Sequence, residues 1–288
     1  MKLVSAKEML EDAEKGHYAI GQFNLNNMES VRAFLLAAQE TKSPIILGLS
    51  GGTAKYMGGY RTITDMVQGF VNFLGITVPV ALHVDHGKYS EVLDAIENGF
   101  TSVMFDGSAY PIAVNIERTK EIVKLAHAKG ISVEAEVGGI GGEEDGHIAR
   151  GECADPIQCR MIADLGVDFL AAGIGNIHGK YPTDWEGLHF DLLSDIKNQI
   201  GDLPLVLHGG SLIPADQIRE AIRRGVAKIN VNTECQIAFT EATRKYFEEN
   251  KDKESKGFTP RAVLAYGLEA TKAMCIKKLE LFGSIGKA

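Results

Sequence analysis

The sequence predicts an α/β fold of the (β/α)8 TIM-barrel type. Short, continuously apolar runs alternate with longer amphipathic stretches along the chain, as expected of strands covered on both faces and joined by crossover helices. Eight such units follow one another without a linker, and 288 residues suit one closed barrel. A doubly wound open sheet would want a GxGxxG turn after its first strand. The chain reads Gly21-Gln22-Phe23-Asn24 there instead.

The apolar runs predict strands at 18–23, 44–49, 78–84, 102–105, 131–137, 168–174, 203–207 and 227–231. Helical periodicity places helices at 29–41, 62–74, 90–98, 112–129, 156–164, 191–199, 215–224 and 233–249. Gly99 and Gly130 stand where helices should stop, and Pro214 just before one starts. Ser5 and Glu8 have the spacing of a capping box that opens a short helix ahead of the first strand. The run 248–256 is a solvated loop, 260–281 is helical again, and 283–288 is a polar tail. One barrel domain over 1–288, with a C-terminal helical extension, is the expected organisation.

Composition narrows the function classes. A net charge of −8, with acids and bases interspersed, argues against nucleic acid or an anionic membrane as partner. No apolar stretch approaches membrane-spanning length. Lys7, Glu8, Glu11 and Asp12 interrupt any signal-like run near the start. Cys153, Cys159, Cys235 and Cys275 form no CxxC pair and are expected as reduced thiols. These readings place the protein in the cytoplasm. A core of this size folds without a structural metal, so a bound metal would be catalytic.

In a barrel, function collects at the C-terminal ends of the strands. Strand three ends in His83-Val84-Asp85-His86-Gly87, strand six in Asn176-Ile177-His178-Gly179, and strand seven in His208-Gly209-Gly210-Ser211. One such histidine would ordinarily be a satisfied polar side chain. Three at one barrel mouth, His86, His178 and His208, suit a Zn2+ site with an open position. His83 shares a strand face with Asp85, where an orienting role and plain packing are equally good readings. His17, His127, His147 and His189 have no such context and are expected at the surface. The glycines after His178 and His208, with Asn230 and Thr233 at the eighth strand end, fit an anion cradle at a helix N-terminus. Asp85 and the loop cluster Glu143-Glu144-Asp145 are the acid–base candidates.

Taken together, the motifs resemble the class II fructose-bisphosphate aldolases. The resemblance runs from Val4 to Ala288, through 23–27 (FNLNN), 55–59 (KYMGG), 83–87 (HVDHG), 102–108 (SVMFDGS), 133–146 (VEAEVGGIGGEEDG), 175–179 (GNIHG), 205–211 (LVLHGGS), 229–234 (INVNTE) and the terminal FGSIGKA. It implies Zn2+ held by His86, His178 and His208, with Glu136 approaching the metal when it shifts. It implies Asp85 as the acid–base at the C4 hydroxyl and Glu144 as the loop acid at C3. Gly179, Gly209, Ser211, Asn230 and Thr233 would cradle one phosphate, Asn24 and Ser50 would contact the cleft, and Asn232 would bear on which ketose is preferred. Arg261 would reach the second phosphate from a neighbouring subunit, which implies a homo-oligomer, a dimer or a tetramer. A monovalent cation, Na+ or K+, is compatible with such a site.

The activity implied is reversible, zinc-dependent cleavage of fructose 1,6-bisphosphate to two triose phosphates. Leu212 and Ala109 depart from the family's usual GSG and DGSH runs. Tagatose-1,6-bisphosphate aldolases tend to carry Ala where Asn232 stands, so Asn232 favours fructose. Phosphorylated deoxy-ketogluconate aldolases keep the NxNTE pattern and are not separated by it. A zinc amidohydrolase would need HxH on strand one. A Schiff-base aldolase would need a lysine well inside the barrel, and Lys228 lies near the start of its strand. A barrel reduced to binding would have lost acid–base or ligand residues, and both sets are present.

Overall fold

The computed structural model describes residues 2–144, 147–149 and 151–288, without the side chains of 143–150. In chain order the elements are α1 (Lys7–Lys15), β1 (Ile20–Asn24), α2 (Met28–Thr41), β2 (Ile45–Leu49), α3 (Gly51–Tyr56), α4 (Tyr60–Phe73), β3 (Val80–Gly87), α5 (Tyr89–Glu97), β4 (Ser102–Phe105), α6 (Ile112–His127) and β5 (Ser132–Val137). There follow β6 (Gly141–Glu144), β7 (His147–Ala149), α7 (Pro156–Ala163), β8 (Phe169–Ala172), β9 (Ile177–His178), α8 (Phe190–Ile200), β10 (Leu205–Leu207), α9 (Ala215–Arg223), β11 (Val226–Val231), α10 (Thr233–Glu248) and α11 (Pro260–Leu281). Eight parallel strands close in the order β1-β11-β10-β8-β5-β4-β3-β2, the barrel the sequence predicts.

Two apolar cores build it. The larger fills the space between strands and helices, with Phe34, Leu47, Val84, Phe105, Ile162, Ile196 and Ile229 buried. The smaller is the lower layer inside the barrel: Ile20, Ile46, Ala81, Met104, Phe169 and Val206, capped by Met9, Leu10 and Ala13 of α1. Alternation of side chains along each strand explains why one set faces inward and the other faces the helices. Helix α1 is fastened beneath the barrel by Ala6 N–H donating to Ser132 Oγ (3.1 Å) and by Lys7 Nζ to Asp168 Oδ1 (3.0 Å). His127 pairs with the other Asp168 oxygen at 2.8 Å. The N-terminal end is therefore plugged.

Several boundaries differ from expectation for identifiable reasons. The capping box at Ser5 and Glu8 does not form. Ala6 already has helical angles and is itself the N-cap, so Ser5 Oγ reaches only Lys7 N–H, at 3.3 Å. The first strand starts at Ile20 rather than 18, since Ala19 N–H donates to the Phe282 carbonyl below α11. The six-residue α3 is capped by Ser50, whose Oγ accepts from Thr53 N–H. A second sheet, β7-β6-β9, forms over the barrel mouth from the Gly-rich segment after β5.

Candidate active site

Strand β3 brings two adjacent functional side chains to the same place. Asp85 and His86 are neighbours in sequence, and a regular strand would send them to opposite faces. His86 instead has φ 48°, and the β3–β4 register breaks between Val84 and Gly87. Such an irregularity re-aims a side chain. As a result Asp85 sits inside the barrel while the His86 ring lies 4.5 Å from that of His208 and 4.9 Å from that of His178. The left-handed φ at a non-glycine residue costs about 1–3 kcal/mol, a local strain spent where the site is built.

The three histidines offer ring nitrogens that all lie within 4.8 Å of one another. Hydrogen bonds decide which nitrogen His86 and His208 present. His86 Nδ1–H donates to Asp106 Oδ2 at 2.9 Å, so Nε2 carries the lone pair. His208 Nε2–H donates to Glu134 Oε1 at 2.7 Å, so Nδ1 carries it. Metal-binding imidazoles characteristically donate their second N–H to a carboxylate in this way. Burial, then the neighbouring His86 and His208, push the His178 pKa well below the ordinary imidazole range. Burial and His86 lower His208 likewise. Neutral imidazoles are the ligating form, and the donor set fits a divalent transition metal. His86, Asp106 and Glu136 make a second such group. Glu136 is buried with Oε2 3.6 Å from His86 Nδ1, and burial plus the Asp106 carboxylate raise its pKa well above the usual range.

Asp85 is held from two sides. Asn24 Nδ2 donates to Oδ2 at 2.8 Å and Asn230 Nδ2 to Oδ1 at 3.0 Å. Burial opposes its charge, but His86, His208 and Lys228 bring its pKa below the usual carboxylate range. Beneath it, Gln22 Nε2 supports Asn24 Oδ1 at 3.1 Å, in space that only a glycine at 48 leaves open.

A cavity of about 340 Å3 opens beside these groups. It is lined by Asn24, Ser50, Asp85, His178, Gly179 and Gly209, with Ser211, Asn230, Asn232 and Thr233 completing the wall. Of the substrate residues expected from sequence, only Arg261 does not line it. Arg261 is exposed at the start of α11. Among the described lining residues there is no lysine or arginine. Anion-binding capacity resides instead in backbone amides around Gly179 and Gly209 and in the N-terminus of α10, whose N-cap Asn232 makes no capping bond. Gly209 has φ 64°, and a Cβ there would meet the Ile177 carbonyl at 2.0 Å. Tyr181 ties the two loops, accepting from Ile177 N–H (3.1 Å) and donating to Gly209 O (3.0 Å). Asn176 does the same through the His208 carbonyl, at 3.0 Å.

Asp145 lies outside the described residues, and Glu143 and Glu144 are described only as backbone in β6. That backbone pairs with β9, Gly142 opposite His178, so the acidic loop is anchored at the barrel mouth. Leu212 (φ 64°) and Ala109, the two departures from the family pattern, are exposed and do not line the cavity. His83 bonds Ser102 Oγ at 2.7 Å and lies 3.3 Å from Glu134. Sequence reasoning gave no role to Asp106, Glu134 or Tyr181. It also passed over Asn26, Thr53 and Gln236, which line the cavity. Lys228, set aside for lying near its strand's start, is fully buried and 2.8 Å from both Glu134 and Asn230.

The family described as fructose-bisphosphate aldolase class-II matches residues 4–287. The chain belongs to the class II fructose-bisphosphate aldolase family. Within it, the fructose-bisphosphate aldolase of Streptococcus pneumoniae is 51% identical over 293 residues, covering 100% of both chains. That of Mycoplasma pneumoniae is 48% identical, covering 99% of this chain and all of its own. The crystal structure of the YdjI aldolase from Escherichia coli K12 superposes with a TM-score of 0.84 at 32% identity, covering 99% of each chain. This protein is thus an enzyme of a carbon–carbon lyase family, and members of that family generally require a metal. No helix among the described residues is long and apolar enough to cross a membrane.

Proposed function

We propose that this aldolase catalyses the zinc-dependent, reversible cleavage of fructose 1,6-bisphosphate to dihydroxyacetone phosphate and glyceraldehyde 3-phosphate, as a cytoplasmic enzyme of glycolysis and gluconeogenesis. The observation that carries the reading is one cavity, lined by His178, Asp85 and the Gly179 and Gly209 loops, beside which His86 and His208 bring their ring nitrogens close to that of His178 and two amides hold the carboxylate. His86, His178 and His208 would hold Zn2+, and Glu136, 3.6 Å from His86 Nδ1, would approach the metal when it shifts. When bound, the metal supplies Lewis acidity toward a ketose.

The chain's own groups then divide the work. Asp85, ionised and fixed by Asn24 and Asn230, takes the C4 hydroxyl proton as the C3–C4 bond breaks. Its two donors occupy one lone pair on each oxygen and leave another for substrate. Gly179, Gly209, Ser211 and Thr233, with Asn232 beside them, hold one phosphate at the mouth of α10 and so fix the ketose relative to Asp85. Glu144, on the strand anchored beside His178, exchanges the proton at C3. Ser50 lines the opposite wall. Among the described lining residues no cationic side chain meets the second phosphate. Arg261 of a neighbouring copy in a dimer or tetramer would meet it, and a monovalent cation, Na+ or K+, would help neutralise the site. Asn232 at the cavity wall favours the fructose epimer.

Triose-phosphate release from fructose 1,6-bisphosphate and tagatose 1,6-bisphosphate, before and after chelation and zinc restoration, tests the reading. Preferential fructose cleavage, lost with chelator and regained with zinc, is expected. No zinc-dependent release from either sugar would sink it, and a preference for tagatose would overturn the substrate alone.

A further inference from the structure

Beneath the cavity, the barrel interior holds a fully buried ion pair. Lys228 Nζ lies 2.8 Å from Glu134 Oε2, and neither side chain is exposed. It also donates to Asn230 Oδ1 at 2.8 Å, and Phe169 presents its ring 5.9 Å away. A buried ion pair of this kind is weak evidence for a stabilising role, because desolvation offsets the attraction. The layer directly below is apolar, formed by Ile20, Ile46, Ala81, Met104 and Phe169. Apolar packing would therefore have served at 228 and 134 had stability been the only demand.

What the pair does is fix two orientations above it. An ammonium can only donate and a carboxylate can only accept. Asn230 is thereby locked with Oδ1 toward Lys228 and Nδ2 upward, one hydrogen to Asp85 Oδ1 (3.0 Å) and the other resting against His208 Nδ1 (3.2 Å), whose lone pair a bound metal would take over. Without Lys228, the buried Asn230 Oδ1 loses the donor that anchors it, and the amide that holds Asp85 is left to shift or turn with only the acceptors above it to guide it. Glu134, held by Lys228 on one oxygen, accepts His208 Nε2–H on the other at 2.7 Å. That bond selects the tautomer that leaves His208 Nδ1 as the acceptor.

We propose that Lys228 is a positioning residue that, through Asn230 and Glu134, sets the orientation of Asp85 for proton transfer and the tautomer of His208 for metal binding. The proposal rests on the zinc-aldolase reading above. It gives one buried ammonium two separable outputs, a metal arm through Glu134 and a proton arm through Asn230.

The test combines zinc affinity, measured by competition with a chromophoric chelator, with kcat and KM for fructose 1,6-bisphosphate at saturating zinc. Lys228→Met keeps the stem and removes the charge. Zinc affinity is expected to fall roughly 10- to 100-fold, and kcat to fall at least about tenfold with KM within about threefold, the pattern of a lost transition-state interaction. Lys228→Met/Glu134→Gln removes the orphaned carboxylate yet keeps an acceptor for His208 Nε2–H. There zinc affinity should recover to within about threefold of wild type while kcat stays low, because Asn230 is still unanchored. A folded Lys228→Met protein with wild-type zinc affinity and kcat overturns the proposal. So does a double variant with wild-type kcat, which also decides the matter if the single variant does not fold. Wild-type protein that neither binds zinc nor cleaves the sugar overturns the underlying reading, and the proposal with it.

Discussion

Gly209 and Gly179 allow the cradle to be tested by a matched pair of substitutions. Both have left-handed φ, 64° and 86°, and both line the cavity. A side chain at either costs about 1–2 kcal/mol for the backbone conformation alone. They differ in what a Cβ would meet. At 179 nothing lies within 4 Å, whereas at 209 the Ile177 carbonyl oxygen is at 2.0 Å and its carbon at 2.7 Å. Both those atoms are backbone, flanked by the Tyr181 bond to Ile177 N–H and by the β6–β9 pairing, so they cannot step aside alone. Overpacking of this kind adds about 1–3 kcal/mol. Gly179→Ala is then expected to lower the unfolding temperature by about 2–4 °C and Gly209→Ala by about 4–10 °C, at roughly 2 °C per kcal/mol for a chain of this length. Thermal unfolding of the two variants, measured without substrate, reads the difference directly. The KM for fructose 1,6-bisphosphate should rise in both, since both residues line the proposed cradle. Gly209→Ala unfolding at or above the temperature of Gly179→Ala would refute the reasoning, because the clash would then carry no energy.

Asp85→Asn should keep zinc but lose about 10²- to 10⁴-fold in kcat; cleavage at the wild-type rate by the zinc-loaded variant would remove Asp85 from the proton transfer. Asp106→Asn, which takes the charge from the His86 Nδ1–H partner at 2.9 Å, should weaken zinc binding about 10- to 100-fold, and equal affinity by chelator competition would show that this contact is idle. Arg261→Ala should raise KM for the bisphosphate, and mixing it with an Asp85→Asn variant should restore sites if the arginine acts across subunits; absence of any rescue in mixed oligomers counts against that. Cys153 is exposed, while burial pushes the thiols of Cys159 and Cys235 up to about 12 and that of Cys275 well above its usual value. A thiol reagent at neutral pH should therefore modify Cys153 alone in the folded protein. Because these folded-state values lie above the unfolded one, the stability they lend is complete below about pH 8.5 and fades as pH rises through about 12; an unfolding temperature that climbs over that alkaline range would contradict the sign.

The eight strands were legible because a barrel strand, covered on both faces, is an unbroken apolar run, and the runs from 44–49 to 227–231 carry that signature. His86, His178 and His208 were legible as strand-end residues. The turn at His86 was not, since a φ of 48° at a histidine has no composition cue. The β6-β7-β9 sheet has no sequence cue because its β6–β9 pairing joins segments 36 residues apart, Gly142 to His178, and Gly-rich stretches show no strand periodicity. Helix α3 is only six residues long, too short for the period of 3.6 to register. Glu134 and Lys228 were available in principle. Each stands two residues before a residue of the site, Glu136 beside His86 and Asn230 on the cavity wall, and so shares its inward face. Distance from the strand end counted against Lys228, although inward-facing residues of a barrel stack in layers and a lower layer can touch an upper one.

That layering explains how a site on parallel strands is kept accurate. Gln22 lies under Asn24, Lys228 under Asn230 and Glu134 under Glu136, each pair on one strand and one face. In the first two pairs the lower residue fixes the amide of the upper one, at 3.1 Å and 2.8 Å, and both amides end on Asp85. Glu134 works across the barrel instead, reaching His208 on β10's end. Asp85 is thus oriented by side chains seated in the sheet, whose backbone cannot drift without breaking the closed hydrogen-bond ladder. The segments beyond the strand ends supply His208, the acidic strand β6 and the proposed phosphate cradle. The polar middle layer costs desolvation that apolar packing would avoid. The apolar layer beneath it and the α1 plug below that offset the cost at the end of the barrel where no chemistry is done.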